Sequence, residues 1–169
     1  QIVREQLDNK IREYFSRLEI PDEPNIYDLI LLSLQKKDLV ATFNWDPLLL
    51  QAYQRAVRIT KDLPNLAFLH GNVLVGYCLD HKYGGMIDNI CLECRKPFQP
   101  SRLLYPVRQK NYAADPYTQD NWKAVRNAFR QAYLVTIFGY SAPITDAEAI
   151  SLLKESWGEI NERNLEDFE

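Results

Sequence analysis

Apolar positions along the chain follow two periods. Ile2, Val3, Leu7, Ile11, Tyr14, Phe15 and Leu18 recur at helical spacing and predict an amphipathic opening helix. Pro21-Asp22-Glu23-Pro24 breaks it. Asn25 is placed to cap a second helix that turns Ile26, Leu29, Ile30 and Leu34 to the core and ends in Lys36-Lys37. Short continuous apolar runs follow at residues 39–43, 66–69, 73–75 and 134–138. Each is apolar on both faces, as strands of a parallel sheet are. A helix is predicted over 47–61, and a strong one over about 119–133 with Trp122, Val125, Phe129 and Tyr133 on one face. Thr145 and Glu148 have capping-box spacing for a last helix carrying Ile150, Leu153 and Trp157. The tail after Gly158 is acidic and uninformative. Strands alternating with helices predict an α/β fold, with a parallel sheet covered by helices on both faces.

Between Cys78 and Pro100 the periodicity stops, and Gly84-Gly85, Pro97 and Pro100 punctuate a stretch with little core of its own. Such a stretch needs a staple. Cys78-x2-His81 followed by Cys91-x2-Cys94 supplies one, using the chain's 3 cysteines and one of its 2 histidines. Two tight pairs separated by a loop give the four nitrogen and sulfur ligands of a tetrahedral zinc site. Arg95 and Lys96 place cations beside the thiolates. Four protein ligands leave no position for a reacting water, so the expected role is structural. The competing reading is a chance pair of thiols with a surface histidine.

A length of 169 residues suits one domain over 1–169 with a small insert over 77–100. The formal charge of −3 argues against a general nucleic-acid binder. No apolar run approaches the ~20 residues of a membrane span, and no signal-peptide pattern opens the chain. Cysteines arranged as metal ligands point to a reducing compartment, and a cytoplasmic protein is expected.

Asn44, Asp46, His70 and Ser141 each follow the end of an apolar run. In open parallel sheets those carboxyl ends border the ligand crevice. Simpler roles compete. Asp46 before Pro47 is a good helix cap, His70 suits a satisfied core histidine, and Ser141 suits a turn. Asn44, between Phe43 and Trp45, contributes little to packing.

Thr42-Phe43-Asn44-Trp45-Asp46, then Leu69-His70-Gly71, then the four-ligand insert, then Ile137-Phe138-Gly139-Tyr140-Ser141 resemble the sirtuin family in order and spacing. The likeness covers roughly residues 38–150 and is nearer to the bacterial sirtuin-like branch. It implies a Rossmann-like domain that binds NAD as substrate, with a structural zinc insert in which His81 replaces one of the usual cysteines. It implies that Asn44 and Asp46, in the turn begun by Thr42, lie around the nicotinamide ribose. His70 is then the general base, and Gly139, Tyr140 and Ser141 form the late turn that contacts the ribose–phosphate portion. The implied reaction breaks the nicotinamide–ribose bond. With water as nucleophile the enzyme is an NAD glycohydrolase of the bacterial antiphage-defence type, the outcome most common in that branch. With an acyl-lysine carbonyl oxygen it is a protein lysine deacylase, and an acylated protein is a partner.

One departure stands out. No glycine precedes Gly71, so the first strand and glycine-rich phosphate turn of NAD-binding folds have no counterpart. The sheet is therefore expected to be incomplete at its amino terminus. Two further readings stay open: a nucleotide- or protein-binding module without turnover, and a zinc-stabilised interaction domain.

Overall fold

The computed structural model describes residues 2–105, 112, 115–159 and 167–168, which fall into two units, Gln1–Leu103 and Leu104–Glu169. After Tyr105-Pro106-Val107 the sequence predicts a polar loop holding Lys110, Asn111 and Asp115-Pro116, of which Lys110 and Asn111 lie outside the described residues.

The first unit opens on α1 (Ile2–Ser16) and α2 (Ile26–Ser33). Asn25 caps α2 in a reciprocal box: its side chain accepts from the Tyr27 N–H at 3.0 Å, and Asp28 accepts from the Asn25 N–H at 2.9 Å. The buried stripe of α2 is not the expected one. Ile26 and Leu29 are 57% and 63% exposed, whereas Asp28 and Leu31 are buried. The cause is an ion pair with α3 (Leu48–Ala56). Arg55 grips Asp28 with two bonds, Nε to Oδ1 at 2.9 Å and Nη2 to Oδ2 at 2.6 Å, and this fork sets which face of α2 turns inward. Helix α3 stops at Ala56, well short of the expected residue 61.

Strands β1 (Leu39–Thr42) and β2 (Asn65–Phe68) flank α3 and pair in parallel, from Leu39 opposite Asn65 to Thr42 opposite Phe68. The Leu69 N–H continues the ladder to the Thr42 carbonyl at 2.9 Å. Strand β1 is half-buried rather than covered on both faces, with Ala41 exposed. The chain then enters a small antiparallel sheet of β3 (Val75–Tyr77), β4 (Gly84–Met86) and β5 (Gln99–Pro100), with β3 central. Of the apolar run at 73–75, only Val75 joins a strand. Phe98 packs over the paired Gly76 and Gly85, where any added Cβ would come within 2.7 Å and 2.8 Å of it.

In the second unit α4 (Pro116–Gln131) begins earlier than expected. The Asp115 side chain caps it through the Thr118 N–H, and Pro116 sits in the first turn. Trp122 and Val125 are buried as read, but Tyr133 is exposed. The helix ends at Gln131 and Ala132 is extended, so Tyr133 leaves the helical face. Strand β6 is only Leu134–Val135 and pairs in parallel with β7 (Asp167–Phe168), a strand the acidic tail gave no sign of. Among the described residues only Leu134 and Val135 of this run are paired, and Phe138 is 86% exposed. Helix α5 (Ala147–Trp157) follows a 3-10 turn at Ile144–Asp146. The residue before α5 is Asp146, one position later than the expected Thr145, and its side chain makes no capping bond. Phe129 and Trp157 join α4 to α5 with ring centroids 5.9 Å apart.

The class is α/β: parallel pairing, helices, and a small lobe carrying the cysteines. Among the described residues no helix is long and apolar enough to cross a membrane.

Candidate functional site

Two identical turns build the lobe's metal centre. The Lys82 N–H bonds the Cys78 carbonyl at 2.8 Å, and the Arg95 N–H bonds the Cys91 carbonyl at 2.9 Å. Lys82 and Arg95 both take left-handed backbone, φ +56° and +59°. Each turn is closed again by its first ligand: the Cys78 N–H donates to the Tyr83 carbonyl and the Cys91 N–H to the Lys96 carbonyl. The ligand atoms of Cys78, His81, Cys91 and Cys94 lie within 4.8 Å of one another. Cys78 Sγ to Cys94 Sγ is 3.7 Å, and His81 Nδ1 is 3.6 Å from both Cys78 Sγ and Cys91 Sγ.

Tetrahedral zinc with usual bond lengths sets sulfur–sulfur edges of about 3.8 Å and sulfur–nitrogen edges of about 3.6 Å. The donor set and its spacing therefore fit zinc, with Nδ1 as the imidazole ligand. The backbone N–H of Cys94, followed by that of Glu93, draws the Cys91 thiol down to about 7 against the effect of burial. Cys94 moves the other way. The Lys96 N–H favours its thiolate, but burial and the two neighbouring thiols outweigh it and push the group up. A Lys96–Asp80 ion pair at 2.9 Å ties one turn to the other.

The second cluster lies where β1 and β2 end. Thr42 and Phe68 are register partners in adjacent parallel strands, so the loops that follow leave the same sheet edge. This brings Thr42, Asn44, Asp46 and His70 to one region of the first unit. The Phe43 ring meets the His70 imidazole with centroids 4.7 Å apart at 62°. His70 is 7% exposed and Asn44 is exposed. Thr42 Oγ1 accepts the Asn44 N–H at 3.1 Å, which pins the turn. Asp46 does cap α3, since its Oδ1 accepts the Leu48 N–H at 3.0 Å. Its charge, after burial, also raises Tyr27.

Sequence reasoning missed Asn72, which is fully buried behind this edge and donates to the Asp46 carbonyl at 2.6 Å. Its residue type gives no signal, because asparagine after His-Gly suits an ordinary turn equally well.

Gly139, Tyr140 and Ser141 belong to the second unit. Gly139 turns left-handed at φ +67°. Ser141 is exposed, while Tyr140 is half-buried, raised by that burial, and donates to Asp146 Oδ2 at 3.4 Å. Tyr140 also lines an apolar groove of about 460 Å³ with Phe129, Ile137, Leu153 and Trp157.

The chain is similar to sirtuin structures. One, from work on the structural basis of sirtuin substrate affinity, is 21% identical over 81% of this chain and 55% of that one, with a TM-score of 0.42. Sir2 bound to an acetylated peptide is 20% identical over 80% and 56%, at 0.41. Sir2 with a p53 peptide and NAD+ is 19% identical over 81% and 56%, at 0.39. The chain thus spans little more than half the length of these structures. No protein-family model matches it, and no curated protein sequence does.

Proposed function

We propose that residues 1–169 belong to a sirtuin-like α/β domain that consumes NAD by breaking the nicotinamide–ribose bond. The observation that carries this reading is the shared sheet edge: an exposed amide, Asn44, and a buried imidazole, His70, follow adjacent parallel strands and are joined through Phe43.

The residue types suit the chemistry. Departure of nicotinamide leaves oxocarbenium character on the sugar, which calls for a fixed ribose, an oriented nucleophile and a base near a hydroxyl or water. An imidazole titrates near neutrality and can take that proton. The Asn44 amide can hold a water or a ribose hydroxyl, with Thr42 and Asp46 fixing the turn. The motif resemblance gives Gly139, Tyr140 and Ser141 to the ribose–phosphate portion of the ligand. Zinc in the Cys78, His81, Cys91, Cys94 set would hold the lobe together and take no part in bond cleavage.

With water as nucleophile the outcome is NAD hydrolysis, the reading favoured here. With an acyl-lysine oxygen it is deacylation of a protein. The test is release of nicotinamide from NAD by the purified protein, with and without an acetylated peptide. Release without peptide, lost in His70→Ala and Asn44→Ala, supports hydrolysis. Release only with peptide replaces it by deacylation. No release in either arm, with NAD binding intact in calorimetry, converts the reading to a binding module.

A further inference from the structure

Asn72 has no exposure, and each of its polar groups is committed. Its side-chain amide donates to the Asp46 carbonyl at 2.6 Å, and its side-chain oxygen accepts the Leu74 N–H at 3.0 Å. Its backbone N–H donates to Ser101 Oγ at 3.1 Å, and the Ser101 hydroxyl donates back to the Asn72 carbonyl at 2.8 Å. Ser101 is 2% exposed, follows β5, and is held by two more bonds: its N–H to the Val75 carbonyl at 2.9 Å and its carbonyl from Arg12 Nη2 at 2.6 Å. One residue earlier, Gly71 takes φ +80° with its backbone pressed on Arg102, so close that a Cβ would stand 2.1 Å from that carbonyl. One residue later, the Val73 N–H bonds the Trp45 carbonyl at 3.0 Å.

The loop that carries His70 is thus bonded on one side to the Trp45-Asp46 turn. On the other it is bonded to the strand leaving the cysteine-bearing lobe.

We propose that Asn72 and Ser101 are positioning residues: a buried latch that sets His70 against the Asn44–Asp46 turn and ties both to the lobe. The chemistry is selective. Only a side chain with donor and acceptor on one planar group can bridge the Asp46 carbonyl and the Leu74 N–H. At the Ser101 position a hydroxyl both donates to and accepts from one backbone residue through a single atom, which an alanine cannot do. Both are buried, at 0% and 2% exposure, so the role assigned to them is positioning rather than contact with reacting atoms. In its catalytic aspect the inference rests on the proposed use of this edge; the coupling to His70 stands without it.

The chain's 2 histidines make the latch observable. In the zinc-loaded protein His81 is a metal ligand and His70 is the remaining imidazole, so proton NMR follows each one. Ser101→Ala is expected to move the His70 signal and to shift its titration midpoint by about 0.3 pH unit or more, a change in its local interactions rather than in folding. The His81 signal stays in place, reporting an intact lobe. Asn72→Ser keeps a small polar group that cannot span to the Asp46 carbonyl, and it asks the same question if Ser101→Ala does not fold.

A folded variant whose His70 titration superposes on wild type overturns the latch. Unfolding of both variants also overturns it, because the pair would then be a folding element rather than a positioning one. Nicotinamide release on the same samples separates the two claims. An inactive wild type removes the enzyme reading while the His70 shift still decides the latch. In an active wild type, Ser101→Ala lowers kcat about tenfold with KM within about twofold.

Discussion

Phe43 holds His70 edge-on, ring centroid to ring centroid at 4.7 Å, immediately past the ends of two parallel strands in register. Aromatic contacts of this kind add to the burial of the ring and fix its tilt. Phe43→Leu keeps most of the apolar volume and removes the edge contact. It is expected to cost no more than about 1.5 kcal/mol of stability while lowering nicotinamide release about tenfold, through a misplaced base. Thermal melts and initial rates on one preparation check both halves, and unchanged turnover would remove Phe43 from the site.

The lobe's zinc is expected to be stoichiometric, one ion per chain, and needed for folding of the lobe. Cys91 is fully buried while Cys94 is partly exposed. Cys91→Ser is therefore expected to lose both metal and melting temperature more completely than Cys94→Ser. Proton competition adds a pH test. With the Cys91 thiol near 7, the apo protein is largely thiolate at that position above this value and protonated below it. Zinc uptake should weaken as pH falls, because the raised Cys94 thiol already holds its proton, and should weaken more steeply below about 7, where a proton must also leave Cys91. Titration with a chromophoric chelator at several pH values measures the slope.

The parts of this fold that could be read in the sequence are those with a local cause. Two ligand pairs at fixed spacing announced the metal lobe, and Asn25 announced a capped helix. What could not be read depends on partners distant in sequence. Helix α2 is apolar on more than one stripe, and the choice between them falls to an ion pair formed across 27 residues. The run after Leu134 looks like any buried strand, but among the described residues its pairing covers only Leu134 and Val135. Asp115-Pro116 is a different failure. It carries the same capping signal as Asp46-Pro47, but it sits in a polar stretch and was expected to be loop. Asn72 is the hardest case, because nothing in an asparagine's neighbours along the chain reveals that all its groups will be satisfied in a core.

Asp28 and Arg55 form a largely buried, doubly bonded pair. Burial alone would raise the Asp28 carboxyl, but the Asn25 N–H and the Arg55 guanidinium together hold it below the usual carboxylate range. A carboxyl depressed in the folded state adds stability that is fully present above its unfolded value and is lost as pH falls through the folded one. Acidification below about pH 4 should therefore erode stability. Arg55→Ala leaves the acid buried without its partner and is expected to cost about 3 kcal/mol at pH 7. It should also flatten the acid limb. Urea denaturation at pH 7 and pH 3 checks this, and equal losses at both would show that the pair is not the titrating element.

Gly71 and Gly139 both take left-handed backbone, at φ +80° and +67°, yet they should respond differently to a methyl group. At Gly139 an added Cβ meets nothing within 4 Å, so Gly139→Ala carries only the backbone penalty, about 1–2 kcal/mol. At Gly71 the same atom would stand 2.1 Å from the Arg102 carbonyl and 2.9 Å from its carbon. Both are backbone atoms, held by a segment that Ser101 bonds to Asn72 and Val75. Neither the loop nor the segment can yield without breaking those bonds. Gly71→Ala is therefore expected to cost at least about 4 kcal/mol, in the range reserved for a steric or backbone fault in a core, and to shift the His70 NMR signal in whatever fraction still folds. Parallel melts of the two variants decide the matter. Similar losses at both positions would mean that the close approach of Gly71 to Arg102 is not a constraint on this fold.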